Sequence, residues 1–237
     1  MKPYLSLVIP AYNEEKRLGK SLEKAYKYFT DNNIDYEIIV VDDGSSDDTI
    51  GVARAARGNI RAIGQPANMG KGAAVRRGMF ESLGEVRMFA DADFSTPIHE
   101  TGKLLGAISS GADVFIGSRG LDYGMIREHQ PFYREFMGKT FNFIVQSLLL
   151  RGISDTQCGF KGFTERASSI IFPQTKIDGF GFDVEILYLA RQAGLEIAEI
   201  PVEWYNDERS TVNPVKDSIR MFLDVLRVRR LHSGQPK

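Results

Sequence analysis

Cysteine is almost missing from this chain: Cys158 stands alone among 237 residues. One thiol cannot close an internal disulfide, which fits a reducing compartment and removes the disulfide-stapled secreted scaffolds. Histidine occurs three times. His99, His129 and His232 are scattered, no His/Cys spacing suits zinc, and each reads as a surface or internally satisfied residue. Long apolar runs are missing too. The opening LSLVIPAY is short and meets Asn13, Glu14 and Glu15 at once, so no signal peptide is expected. The stretch TFNFIVQSLLL (140–150) has 11 residues between Lys139 and Arg151, against roughly 20 needed to span a bilayer. Nor does one charge dominate. The net is −1, which argues against a nucleic-acid partner held by bulk charge. The expectation is a cytoplasmic chain. Charge is uneven, however: residues 215–237 hold six Lys/Arg against two Asp.

What is present is enough to build a core: 43% apolar and 26% charged residues, a globular balance. Strand-like and helix-like segments alternate through the first half. YLSLVIP (4–10) is apolar and reads as a strand with a proline stop. YEIIVVD (36–42) is a continuous apolar run of the kind buried on both faces, and IRAIG, VRMFA and DVFIGS follow. Between them lie EEKRLGKSLEKAYKYF (14–29), SDDTIGVARAA (46–56), KGAAVRRGMFESL (71–83) and PIHETGKLLGAISS (97–110). The second of these opens with a capping serine and an acidic first turn. This alternation predicts an α/β fold, a doubly wound and mainly parallel sheet with helices on both faces. The second half reads as a helix (131–150), a glycine-rich segment SDTQCGFKGFT (154–164), a helix DVEILYLARQAG (183–194), a strand EIAEIPVEW (196–204) and a last helix near 215–231. No linker or repeat interrupts it. One domain over 1–237 is the simplest reading, with a donor half to about 125 and an acceptor half from about 126.

Four polar clusters follow predicted strands: PAYNEE (10–15), VDDGSSDDT (41–49), ADADFSTP (90–97) and GSRG (117–120). Each alone has a plain reading. Asp47 and Asp48 suit a helix cap, and Asp42 and Asp43 a turn before Gly44. A parallel sheet brings all four to its carboxyl edge, where such sheets bind ligands. Asp91 and Asp93, spaced i, i+2, point to one side if the backbone is extended. Two carboxylates there suit Mg²⁺ or Mn²⁺, hard ions that share oxygen ligands with substrate phosphates. Other phosphate-binding schemes fit poorly. GQPANMGKG (64–72) has the wrong spacing for a P-loop, and Gly72 stands where Ser or Thr is required. No GxGxxG opens the first turn, and no GxSxG elbow occurs.

VIPAYNE, VVDDGSSDDT, NMGKGAAVRRG, DADFSTP and DTQCGFKGF occur in an order and at spacings that resemble family 2 inverting glycosyltransferases of the GT-A fold. Within that family the chain is most similar to polyprenyl-phosphate sugar synthases of the dolichyl-phosphate β-glucosyltransferase type, over residues 4–230. The resemblance implies a nucleotide pocket lined by Pro10, Tyr12 and Glu14, with Asp43 facing the base or ribose. It implies a metal pair at Asp91 and Asp93, and Lys71 and Arg119 near the nucleotide or its phosphates. Asp183 stands where relatives carry an acidic base, with Glu185 beside it. Arg209 resembles a loop arginine that contacts phosphate.

The implied reaction moves a hexose, glucose from UDP-glucose or else mannose from GDP-mannose, to a polyprenyl phosphate. A phosphate monoester has its second pKa near about 6 and needs little deprotonation, so Asp183 is either a base or an orienting residue. PFYREFMGKTFNFIVQSLLL and VKDSIRMFLDVLRVRRL are core helices or, with their basic flanks, interfacial helices that give a peripheral membrane contact. The alternatives are transfer to a soluble or glycan hydroxyl, a nucleotide-sugar-binding module without turnover, and a nucleotidyltransferase. The last lacks its glycine-rich basic loop where PAYNEEKR stands.

Overall fold

The computed structural model describes residues 2–128, 132–206 and 214–233, without the side chains of 132–136, 139 and 214–219. Seven strands form one sheet: β1 (Leu5–Ala11), β2 (Tyr36–Asp42), β3 (Ile60–Gly64), β4 (Val86–Ala90), β5 (Val114–Ser118), β6 (Phe160–Thr164) and β7 (Ile197–Pro201). Their order is β3-β2-β1-β4-β6-β5-β7. Every pairing is parallel except the two made by β6, which runs antiparallel to both β4 and β5. The eight helices among the described residues are α1 (Glu15–Asp31), α2 (Thr49–Ala55), α3 (Lys71–Glu81), α4 (Thr101–Ser109), α5 (Phe132–Leu148), α6 (Glu165–Ile171), α7 (Phe182–Gln192) and α8 (Pro214–Leu231).

Alternation along the strands divides the core into two layers. Leu5, Leu7 and Ile9 of β1 pack with Leu18 and Leu22 of α1 and Leu104 of α4. Val8, Ile39 and Val41 face the other side, with Ala74, Val75 and Met79 of α3 and residues of α6, α7 and α8. Each fully buried Leu, Ile or Phe contributes about 1.5–3 kcal/mol. The core therefore carries the stability, and the loops at the strand ends are free to carry chemistry.

From β1 the chain moves out to β2 and β3, then returns to β4 on the other side of β1. This makes the β1/β4 boundary a switch point, where a crevice opens at the carboxyl edge. Pairing between β1 and β4 stops at Val8↔Phe89, two residues before Pro10, which has no N–H to donate. Pro10 does not end the strand, as its sequence position suggested. It stays in β1 opposite Val41.

The other departure from expectation is larger. The glycine-rich segment 154–164, to which the sequence assigned no element, ends in a strand: its second half is β6, inserted between β4 and β5. β6 enters the sheet at the carboxyl edge because it runs the other way, so 154–159 joins the four polar clusters there.

Candidate functional site

The first two loops are stapled to each other. Asn13 adopts φ 56°, and its backbone N–H donates to Ser45 Oγ at 2.9 Å. Its side-chain oxygen accepts from Ser46 N at 2.9 Å. Ser46 therefore bonds to Asn13 rather than capping α2. Asp47 takes the capping role for two helices: it accepts from Thr49 N at 3.1 Å and from Glu15 N at 3.1 Å. Tyr12 is 39% exposed at the mouth of this turn, with Pro10 half-buried below it. Glu14 is tied to Arg17, whose Nε donates to Glu14 Oε2 at 2.6 Å, and Arg17 Nη1 lies 3.6 Å from Asp93.

Asp43 is buried at the end of β2. It accepts from Gln65 Nε2, Met69 N and Gly70 N, each at 2.8 Å. Burial raises its pKa, the two backbone donors working against the shift. Asp43 is thus the clamp on the loop that leads into α3. Gly70 ends that loop at φ 105°, and a Cβ there would meet Asp178 O at 2.4 Å, so only glycine fits. Asp43→Ala leaves three donors unmatched, and a loss of about 2 kcal/mol is expected. A melting curve checks this, and calorimetry with UDP reads any accompanying loss of nucleotide affinity.

The clamp sets Lys71 as the first residue of α3. A cation there opposes the helix dipole. Asp91 compensates, with its Oδ1 2.6 Å from Lys71 Nζ. Burial works against the ammonium, but Asp91, Asp183 and Asp93 outweigh it and hold Lys71 above the usual lysine range. Asp91 and Asp93 are not on extended backbone, contrary to the sequence expectation. β4 ends at Ala90, and Phe94 N donates to Asp91 O at 3.0 Å, which closes a turn; Phe94 itself sits at φ 49°. Asp93 accepts from Ser95 N at 2.9 Å. Its pKa is raised first by burial and then by the charge on Asp91.

Two carboxylates whose negative charges repel are a set that a hard divalent cation relieves, and Asp91 is 36% exposed and open to one. Gly159 keeps the space beside it, since a Cβ there would fall 2.0 Å from Asp91 Oδ2. The oxygen-only set fits Mg²⁺ or Mn²⁺. His99, Glu100 and Glu203 also cluster within 4.8 Å, but Lys103 lies 2.7 Å from Glu100 and Arg127 2.8 Å from Glu203. Those cations already neutralise the second cluster.

Arg119 follows β5, as its sequence position predicted, but its guanidinium is committed. Nε and Nη2 donate to Asp155 at 2.6 and 2.9 Å, and the group lies 5.4 Å over the Trp204 ring. Burial opposes the charges, yet their pairing holds Asp155 at about 2 and Arg119 above the usual arginine range. Asp155 went unnoticed in the sequence although it sits inside the quoted DTQCGFKGF. Lys161, of the same motif, reaches Asp183 in the first turn of α7. Asp183 is buried, and burial raises its pKa against the pull of Lys161 and Lys71. Glu185 turns away, accepting from Lys176 N, Ile177 N and the buried His232. Arg209 and His129 lie outside the described residues. A groove of about 930 Å³ starts at Asp93 and passes Phe94, Ile98 and Tyr28 to Tyr205.

The carboxyl edge thus gathers Asp91, Asp93, Lys71, Asp183 and the Arg119–Asp155 pair. A profile of glycosyl transferase family 2 matches residues 6–171. The dolichyl-phosphate beta-glucosyltransferase ALG5D of Trichomonas vaginalis is 38% identical over 95% of this chain and 72% of its own. The human dolichyl-phosphate beta-glucosyltransferase is 38% identical, over 95% of this chain and 74% of its own. Among solved structures, mannosyl-3-phosphoglycerate synthase of Rubrobacter xylanophilus superposes with TM-score 0.73 at 19% identity, covering 99% of this chain and 76% of its own. Glucosyl-3-phosphoglycerate synthase of Mycobacterium tuberculosis, in complex with Mn²⁺, UDP and glucosyl-3-phosphoglycerate, gives 0.70 at 19%, covering 99% and 81%.

Proposed function

This chain belongs to glycosyltransferase family 2, and we propose that it moves glucose from UDP-glucose to the phosphate of a dolichyl-type polyprenyl phosphate, with inversion at the anomeric carbon. The observation that carries the reading is the meeting of Asp91, Asp93, Lys71 and Asp183 at one crevice. The substrates follow the relatives, whose names specify glucosyl transfer to dolichyl phosphate.

In this reading Asp91 and Asp93 hold Mg²⁺ or Mn²⁺, which supplies electrostatic stabilisation of the departing diphosphate. Pro10, Tyr12 and Glu14 line the nucleotide end, and Asp43 shapes its floor through the 65–70 loop. Lys71 stands beside Asp91 with a cation for phosphate oxygens. The acceptor oxygen attacks the anomeric carbon as the bond to the β-phosphate breaks and UDP leaves. A phosphate acceptor is already ionised near neutrality, so Asp183 orients more than it deprotonates. The Arg119–Asp155 pair braces the wall next to Cys158, and Arg209 is proposed as a phosphate contact. The groove beside Asp93 combines Lys24, Lys27 and His99 with Phe94, Ile98 and Tyr205 and gives room for an acceptor. The test compares UDP release from UDP-glucose with GDP release from GDP-mannose, with and without polyprenyl phosphate. UDP release that depends on the lipid phosphate, with a glucosylated lipid as product, is the expected result. Equal turnover on a water-soluble hydroxyl acceptor counts against the lipid.

No helix among the described residues is long and apolar enough to cross a membrane. α8 nevertheless faces outward with apolar side chains. Val225, Val228 and His232 are buried, while Leu223 and Leu226 are 48% and 51% exposed between the exposed Arg220, Arg227, Arg229 and Arg230. Phe143 of the neighbouring α5 is 72% exposed. Such a face suits peripheral docking on an anionic bilayer, at about 1 kcal/mol per basic residue near the surface. The protein is expected to sediment with anionic liposomes at low salt and to be released as salt rises. Replacing Arg227, Arg229 and Arg230 by Gln is expected to weaken sedimentation and to slow transfer to a long-chain acceptor more than to a short one.

A further inference from the structure

Lys161 occupies an unusual place for a lysine. It lies at the second position of β6, opposite Phe89 of β4 and Ile116 of β5, and its exposure is 0%. Its Nζ donates to Cys158 O at 2.7 Å and to Asp183 Oδ1. The same ammonium stands 5.5 Å over the Phe89 ring, and Phe89 packs against Phe182 with centroids 5.6 Å apart. Lys71 Nζ lies 5.9 Å from the Phe182 ring. Two lysines, each over one ring of an aromatic pair, therefore bear on one buried carboxylate. A fold gains little from such burial, because an apolar side chain of similar size commonly serves at least as well as a buried ion pair. The pair's use lies in its location, one lysine away from Asp91.

We infer that Lys161 is a positioning residue for sugar transfer, acting through Asp183: it fixes the buried carboxylate's place against the strand ends and supplies its counter-charge. The inference rests on the reading that Asp183 faces the reacting groups. Through Cys158 O, Lys161 also fixes the bend before β6, where Gly159 borders Asp91. A carboxylate buried without that ammonium would take up a proton or swing away, and its alignment with the acceptor would be lost. Misplacement of this kind costs rate more than affinity.

The test is a double-mutant cycle on the full chain, with Mn²⁺, UDP-glucose and a short-chain polyprenyl phosphate. The variants are Lys161→Met, Asp183→Asn and the pair together, with kcat, donor KM, UDP affinity and melting temperature as readouts. Lys161→Met is expected to lower kcat about 10–100-fold, the scale of a lost alignment, with donor KM and UDP affinity within about threefold of wild type. In the Asp183→Asn background the same change is expected to cost nothing further, as for two residues that act as a unit. Lys161→Gln, which keeps an N–H donor, is expected to retain more of the rate than Met. It also serves if Lys161→Met does not fold. Effects that multiply in the double variant, or a normal kcat at temperatures where the variants are folded, overturn the inference and leave Lys161 a core residue. Full activity of Asp183→Asn overturns the underlying reading of Asp183 instead.

Discussion

Replacing Asp91 by Asn is expected to leave less than about a hundredth of wild-type turnover, with Asp93→Asn close behind. Removing one preorganised electrostatic group typically costs 10²–10³ in rate, and Asp91 acts twice. In the proposed reaction it would offer a partly exposed carboxylate to the divalent ion, and it supplies the counter-charge for Lys71 at the start of α3. Asparagine keeps the shape and one oxygen but removes the charge that makes the site attractive to a hard cation. Two measurements separate the roles. Mn²⁺ binding, followed by calorimetry, is expected to weaken in both variants. Only Asp91→Asn is expected to release Lys71, which shows as a lower melting temperature than that of Asp93→Asn. EDTA is expected to reproduce the loss of turnover in the wild-type protein. Full turnover in EDTA by folded protein would remove the metal from the mechanism.

The second large effect concerns stability. Asp155→Ala is expected to destabilise the protein by about 3–5 kcal/mol, the usual result of stranding one member of a buried ion pair. Asp155 is 2% exposed. It accepts from Arg119 N, Nε and Nη2 and from Gln157 N, so one carboxylate ties the end of β5 to the segment entering β6. Its pKa falls from 3.8 to about 2 in the folded chain. A depressed carboxyl contributes stability that is present above the unfolded value and lost as pH falls through the folded one. The wild-type advantage over Asp155→Ala is therefore full at pH 5 and above. It shrinks by about 2 kcal/mol between pH 4 and pH 2, as read by urea denaturation across that range. An advantage that does not change with pH would mean that the contribution of Asp155 is packing and not charge.

Much of this architecture was legible because six strands are short, largely apolar runs, four of which end in a polar cluster. YEIIVVD and VRMFA announce burial on both faces, and the rule that ligands bind at the carboxyl edge then gathers Asp43, Asp91 and Arg119 without coordinates. β6 escaped the same reading for a physical reason. FKGFT carries a lysine and a glycine in its centre, and nothing local explains a charged residue inside a sheet. Its partner Asp183 is 22 positions away, so the strand makes sense only after α7 has folded back. The DADFSTP turn departs from the extended reading for a local reason, the Asp91 O–Phe94 N bond that folds the chain back directly after β4. The acidic Asp47 was rightly open to a capping role; what sequence could not show is that it caps α1 as well as α2.

The reversed strand also bears on how the molecule is made. Among the described residues β5 pairs only with β6 and β7, and both are encoded after it. As the chain leaves the ribosome, VFIGS waits without a neighbour, and β4 waits with one edge bare, until residue 164 has emerged. At roughly 5–20 residues per second this lasts a few seconds. An apolar strand with open edges is a template for unwanted pairing. A gene cut near codon 125 would make that interval permanent, because the first fragment would contain β5 and neither of its partners. The protein's yield in a host cell then depends on how translation speed and chaperone capacity match that wait, quite apart from how stable the finished fold is.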